Sequence, residues 1–148
     1  MKIATIIARC LLGLIFVVFG ANKFLHFLPN PPMQGAGAQF MGAMFETHYI
    51  YVVATCEVVG GLLVLTGRYL PLGLTVVGPV VVNILSFHIF MDNSGLPIAF
   101  TVAALALFLL WRYREHFAGL VKPVHPARRE TAGVGSPTQA APTGSTKK

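Results

Sequence analysis

The stretch IATIIARCLLGLIFVVFGA, residues 3–21, is apolar over its whole length except at Thr5 and Arg9. As a helix it would rise about 28 Å, close to the roughly 30 Å of hydrocarbon in a bilayer. Three further stretches share this character, at about residues 49–66, 70–90 and 96–113. Because lipid offers backbone groups no hydrogen-bonding partner, such stretches cross it as helices. The sequence therefore predicts an all-α membrane protein with a four-transmembrane-helix bundle.

The composition indicates the same class. Hydrophobic residues make up 55% of the chain and charged residues only 11%, which leaves too few polar side chains to cover a water-facing surface. The net charge of +6 does not indicate nucleic-acid binding, because seven of the eleven Lys and Arg residues lie from Arg112 onward, where a cytoplasmic membrane flank would place them. Cys10 and Cys56 lie apart in apolar runs, so neither a disulfide framework nor a thiol redox centre is predicted.

The basic residues predict the orientation in the membrane. One side carries Lys2, Arg68, Arg112, Arg114 and the basic tail, whereas Lys23 is the only Lys or Arg on the other side. Basic residues collect on the cytoplasmic side, so both termini are expected in the cytoplasm.

The chain divides into a membrane domain, residues 1–120, and a tail, residues 121–148. The tail is rich in Pro, Ala, Gly, Ser and Thr and has no hydrophobic periodicity. We expect it to be a disordered basic cytoplasmic tail.

The long loop between the first two spans contains one amphipathic segment. Asn30-Pro31-Pro32 excludes a helix at the start of the loop, whereas residues 39–47 place apolar side chains at helical spacing. The sequence predicts a short helix here. It could lie flat in the membrane interface or fold over the mouth of the bundle.

Two charged residues lie inside predicted spans and away from their last residues, where a charge is costly and usually faces the bundle interior. Glu57 is near the middle of the second span, and Arg9 is the expected partner by depth once its side chain is extended. Arg9 could instead reach the inner headgroups. The pair could serve structure alone, or take part in ligand binding or proton handling.

Further polar residues are expected toward the outer side of the bundle. Asn22 and Lys23 follow the first span, and Asn83 and His88 follow a predicted kink at Pro79. Asn83 could equally form a hydrogen bond between helices. No metal site is predicted, because no two histidines have a short ligand spacing.

Assembled, the chain resembles the DoxX family of small bacterial membrane proteins over about residues 8–117. The resemblance rests on AR (8–9), LGLIF (12–16), GANKF (20–24), EVVGGLL (57–63), GR (67–68), PVVVN (79–83) and FH (87–88). It implies a four-helix bundle in the bacterial inner membrane and an association with membrane oxidoreductase systems.

The resemblance and the buried polar residues together give the leading hypothesis. A quinone-like or other lipophilic molecule would bind in the bundle beside Arg9 and Glu57, with Asn22, Lys23, Asn83 and His88 as polar contacts. No cofactor motif is visible in the sequence, so redox chemistry would need a bound quinone or an oxidoreductase partner subunit that carries the cofactor. The alternatives are a non-enzymatic scaffold or accessory subunit and, third, a small transporter that would have to be a homo-oligomer. Whether the chain is an enzyme is left open.

Overall fold

The computed structural model describes residues 2–29 and 32–121, and all regular structure in these ranges is helical. The described ranges contain six α-helices: α1 (Lys2–Leu25), α2 (Gly35–Glu46), α3 (Ile50–Thr66), α4 (Leu70–Phe90), α5 (Leu96–Arg112) and α6 (Arg114–Val121). A single 3₁₀ turn, Asn93–Gly95, joins α4 to α5.

Three helical segments are long and apolar enough to cross a membrane: α1, α4, and α5 together with its preceding turn. Helix α3 has 17 residues and meets α2 at an angle of 87°, so that this bent pair could supply a fourth span. The prediction of an all-α chain with helices suited to span a membrane is confirmed for the described residues. The predicted stretches agree with α1, α3, α4 and α5 to within a few residues at their ends.

The four long helices pack side by side in a closed arrangement. Helix α1 contacts α3 and α5, and α4 contacts the same two helices. Leu12, Phe16, Val64, Val77 and Leu109 are almost fully buried between them. Each helix therefore has one face in the core, while its other large apolar side chains stay exposed, as expected for a surface in contact with lipid.

Glycines bring α1 and α3 into close contact. A Cβ atom on Gly13 would lie 2.9 Å from the carbonyl oxygen of Gly61, and a Cβ on Gly61 would lie 3.0 Å from the carbonyl oxygen of Gly13. Small residues at a helix interface allow backbones to approach in this way. This contact fixes the register of the two antiparallel helices.

Two ends of the bundle can be distinguished. The Lys23 end comprises the end of α1, the start of α3, the end of α4 and the start of α5, and the Arg9 end is the opposite one. Helix α3 stops at the Arg9 end because Gly67 adopts the left-handed conformation (φ 72°) and donates its N–H to the Leu63 carbonyl.

Helix α2 is the predicted amphipathic segment, and it begins four residues before the predicted start. It packs on the end of α4: Gly37 lies against Asp92, and the rings of Phe40 and Phe87 are 5.7 Å apart. The predicted tail, residues 121–148, lies outside the described residues except for Val121, where α6 ends. Helix α6 itself was not predicted.

Candidate functional site

The site is built around an ion pair between Lys23 of α1 and Glu57 of α3. The Lys23 ammonium donates to Oε2 of Glu57, whose side chain is only 2% exposed. Gly20, one turn before Lys23, permits this contact because a Cβ there would lie 2.9 Å from the Cβ of Glu57. Both charges are needed here, since removing one would leave the other buried and unpaired.

Arg9 is not the partner of Glu57, so this expectation from the sequence is wrong. Its guanidinium packs against Gly67, with Cζ 2.7 Å from where a Cβ of Gly67 would be, and its Nε is buried without a hydrogen bond. Gly67 follows Glu57 by ten residues, about 15 Å along a helix. An extended Arg9 side chain does not reach the depth of Glu57, because α1 has 24 residues and its first turns lie beside the end of the 17-residue α3.

A cavity of about 430 Å³ lies beside the ion pair. Its polar lining includes Asn22, Lys23, Glu57 and His88, whereas the remaining lining is mainly apolar. The apolar lining residues are Ile15, Phe16, Phe19, Leu28, Pro29, Met33, Ile84, Ile98 and Val102. This volume is in the range of sites that hold a small organic molecule, and a few polar groups in an apolar wall are typical of them.

His88 is held in one orientation at the wall of this cavity. Its Nδ1 lies 2.8 Å from the backbone carbonyl oxygen of Asp92. A carbonyl only accepts, so Nδ1 carries the hydrogen and Nε2 is the ring atom available to a ligand. Gly95 makes room for the ring, since a Cβ there would lie 2.6 Å from Nε2. Sequence reasoning identified His88 but not the turn that positions it.

That turn consists of the residues Asp-Asn-Ser-Gly, a pattern that by itself predicts only a connection between two spans. Ser94 donates from its hydroxyl (2.7 Å) and its backbone N–H (3.2 Å) to the carboxylate of Asp92. These two hydrogen bonds lower the pKa of Asp92 from its ordinary value. The turn thereby stays compact, and Asp92, Ser94 and Gly95 form part of the cavity lining.

Asn22 and Asn83 have different positions. The side-chain oxygen of Asn22 accepts from the backbone N–H of Leu28 (2.7 Å), so Asn22 holds the chain that leaves α1 as well as lining the cavity. Asn83 does not line this cavity. It lines a second one of about 180 Å³ beneath Phe40 and other residues of α2.

The two cavities share their most polar wall. Lys23, Glu57 and His88 line both of them. Helix α2 therefore lies over a cavity. This is the arrangement in which α2 folds over the mouth of the bundle. Among the described residues no three His, Cys, Asp or Glu side chains are grouped so as to hold a metal ion. The arrangement offers a cation, an imidazole and a carboxylate at the end of an apolar chamber.

Comparison with known proteins gives one match. The DoxX family model matches residues 4–89, which include α2, α3 and nearly all of α1 and α4. No curated protein and no solved structure matches the chain. The matched segment carries Lys23, Glu57 and His88, whereas α5 and its side of the cavity lie beyond it. More than half of the chain fits the family and its helices are suited to a membrane, so this multi-pass membrane protein belongs to the DoxX family.

Proposed function

We propose that this protein binds a quinone-like or other lipophilic small molecule in the cavity beside Lys23 and Glu57, as a subunit of a membrane oxidoreductase system. The observation that carries the proposal is the buried ion pair at the wall of an apolar cavity of about 430 Å³. An intramembrane ion pair next to such a space is typical of a functional site. The oxidoreductase assignment is what the family resemblance implies.

The proposal includes four spans in the bacterial inner membrane, formed by α1, α3, α4 and α5, with both termini in the cytoplasm. The distribution of charge supports this orientation. Among the described residues the Arg9 end carries Lys2, Arg9, Arg68, Arg112 and Arg114. Lys23 is the one Lys or Arg of the described residues at the opposite end, and Glu57 neutralises it. The Lys23 end would then face outward.

The ligand would reach the cavity from the lipid, between α1 and α5. Phe19 and Ile98 line the cavity, yet they are 44% and 54% exposed, which indicates an opening between these helices. A lipophilic tail would remain at this opening. The polar head would then accept a hydrogen bond from the Lys23 ammonium, and a hydroxyl on the reduced head would donate to Nε2 of His88. Glu57 offsets the cost of placing an ammonium in this position.

The test is ligand binding by the purified protein in detergent. We expect organic extraction to release a quinone or related lipid. We also expect a short-tailed quinone to raise the unfolding temperature. Ile98→Trp should abolish this rise because the indole would fill the opening. Leu107→Trp is the matched control, since Leu107 lies on the same helix and is 65% exposed but does not line the cavity.

The proposal fails if extraction yields no such molecule and no added quinone changes the unfolding temperature of the wild-type protein. It also fails if both tryptophan variants respond to the ligand as the wild type does. In that case the bound molecule would lie elsewhere on the lipid-facing surface.

A scaffold or accessory subunit is the second candidate, because the Lys23–Glu57 pair joins α1 directly to α3. In that case Glu57→Gln would lower the amount of protein in the membrane and leave ligand responses of the folded fraction unchanged. Under the binding hypothesis the folded fraction loses most of its affinity.

A further inference from the structure

A second cleft lies at the Arg9 end, far from the cavity described above. It encloses about 390 Å³ between the start of α1 and the junction of α5 with α6. Lys2, Arg112 and His116 line it together with the phenol of Tyr113 and the carboxylate of Glu115. Three basic side chains and a hydroxyl therefore converge on one space.

No described residue forms an ion pair with Lys2 or Arg112, the Lys and Arg of the cleft. Within residues 2–29 and 32–121, Lys23–Glu57 is the one ion pair, so neither Lys2 nor Arg112 is paired. Glu115 lines the cleft without approaching either cation closely enough to form an ion pair. Arginine and lysine in this state bind phosphate oxygens well, and a guanidinium can do so with two parallel hydrogen bonds.

The cleft also has an apolar edge. Ile6 lines it and is 50% exposed, and Ile3, one turn earlier on α1, is 74% exposed. Both belong to the lipid-facing surface of a helix suited to span the membrane. A ligand in the cleft would thus contact cations with one part and hydrocarbon with another. A phospholipid has this chemistry, with its phosphate next to acyl chains.

We propose that this cleft binds the phosphate group of an anionic phospholipid, held by Lys2 and Arg112 with its acyl chains along Ile6. The site does not depend on the ligand proposed for the main cavity. The headgroup would belong to the cytoplasmic leaflet if the orientation proposed above is correct, and anionic lipids attract basic residues at that surface.

The experiment is a titration of the detergent-solubilised protein with phosphatidylglycerol, with bound lipid counted by native mass spectrometry. Each cation near a lipid headgroup contributes about a fivefold change in affinity. We therefore expect Arg112→Gln to weaken binding about fivefold, and Lys2→Gln with Arg112→Gln to weaken it about 25-fold. Arg68→Gln is the matched control, because Arg68 is exposed at the same end but does not line the cleft.

Three outcomes would overturn the proposal. Equal weakening by Arg68→Gln and Arg112→Gln would indicate general surface charge. Equal affinity of the wild type for phosphatidylcholine would exclude recognition of an anionic lipid. Displacement of the lipid by inorganic phosphate, with the same dependence on Arg112, would assign the cleft to a soluble phosphate ester. Should Arg112→Gln fail to fold, Lys2→Gln alone tests the first point, since Lys2 is exposed at the helix start.

Discussion

Replacing either of the facing glycines, Gly13 and Gly61, by alanine should push α1 away from α3. The methyl group of Gly13→Ala would lie 2.9 Å from the backbone oxygen of Gly61 and 2.9 Å from the backbone nitrogen of Leu65. Backbone atoms cannot rotate away as side chains do. The helices must therefore separate by roughly 0.5 Å to reach an ordinary contact distance.

Such overpacking typically costs about 1–3 kcal/mol. The measured loss of stability is smaller than this packing cost, because alanine stabilises a helix by about 0.5–1 kcal/mol relative to glycine. The matched control is Gly42→Ala in α2, where a Cβ would meet no atom within 4 Å. Gly42→Ala gains the same helix-stabilising effect but introduces no steric clash. The difference between Gly13→Ala and Gly42→Ala should therefore equal the packing cost, about 1–3 kcal/mol.

The double variant Gly13→Ala with Gly61→Ala gives a sharper test. Each substitution forces the same separation of the helices, so the first makes room for the second. The double variant should be more stable than the sum of the single costs implies, by about 1 kcal/mol. Unfolding in mixed micelles with increasing dodecyl sulfate would measure these differences, with the fluorescence of Trp111, the only tryptophan, as one signal.

Two results would refute this reasoning. If Gly13→Ala and Gly61→Ala are both as stable as Gly42→Ala, the helices are not in close backbone contact. If the single costs add fully in the double variant, the two glycines do not face each other, and the register that pairs Lys23 with Glu57 would need another cause.

Three further predictions concern the site. Lys23→Met should destabilise the protein by about 3–5 kcal/mol, because it leaves the carboxylate of Glu57 buried and unpaired. The double variant Lys23→Met with Glu57→Leu should recover most of the lost stability in the same unfolding assay. Gly95→Ala should displace the ring of His88 and weaken quinone binding in the thermal-shift assay, with little change in stability without ligand. The pKa of Asp92 is lowered by the hydroxyl and then the backbone N–H of the serine two residues later, so its carboxylate stabilises the fold above the ordinary value of 3.8. This contribution is lost as the pH falls through the lower pKa of the folded protein, so wild type and Asp92→Asn should differ in unfolding temperature at pH 6 and converge toward pH 3.

Hydropathy was sufficient to locate the long helices, because the length of an apolar stretch and its flanking glycines and prolines are local properties. The partner of Glu57 was not predictable in this way. It depends on how far α1 is shifted along α3, and that shift is set by the contact of Gly13 with Gly61. Helical spacing places Lys23 on nearly the same face of α1 as Gly13 and Gly20, so the partner of Glu57 follows once the register of the two helices is known.

For a related reason, the cavity and the residues that line it could not be predicted from the sequence. The chain brings Met33 and Gly95 to the same space from two connections that are far apart in the sequence. The composition of these loops does not specify where they lie relative to the helices. Of the polar residues expected toward the outer side, Asn22, Lys23 and His88 line the larger cavity, whereas Asn83 lines the smaller one under α2.

The position of the ion pair favours a ligand over a purely structural role. A buried ion pair is seldom more stabilising than apolar side chains of the same volume, and the helices already hold together through close glycine contacts. A scaffold therefore gains little stability from Lys23 and Glu57. It gains none from an adjoining space of about 430 Å³ that its own side chains do not fill. A ligand with a polar head accounts for both features. It would fill the space and use the one ammonium that the described part of the Lys23 end provides.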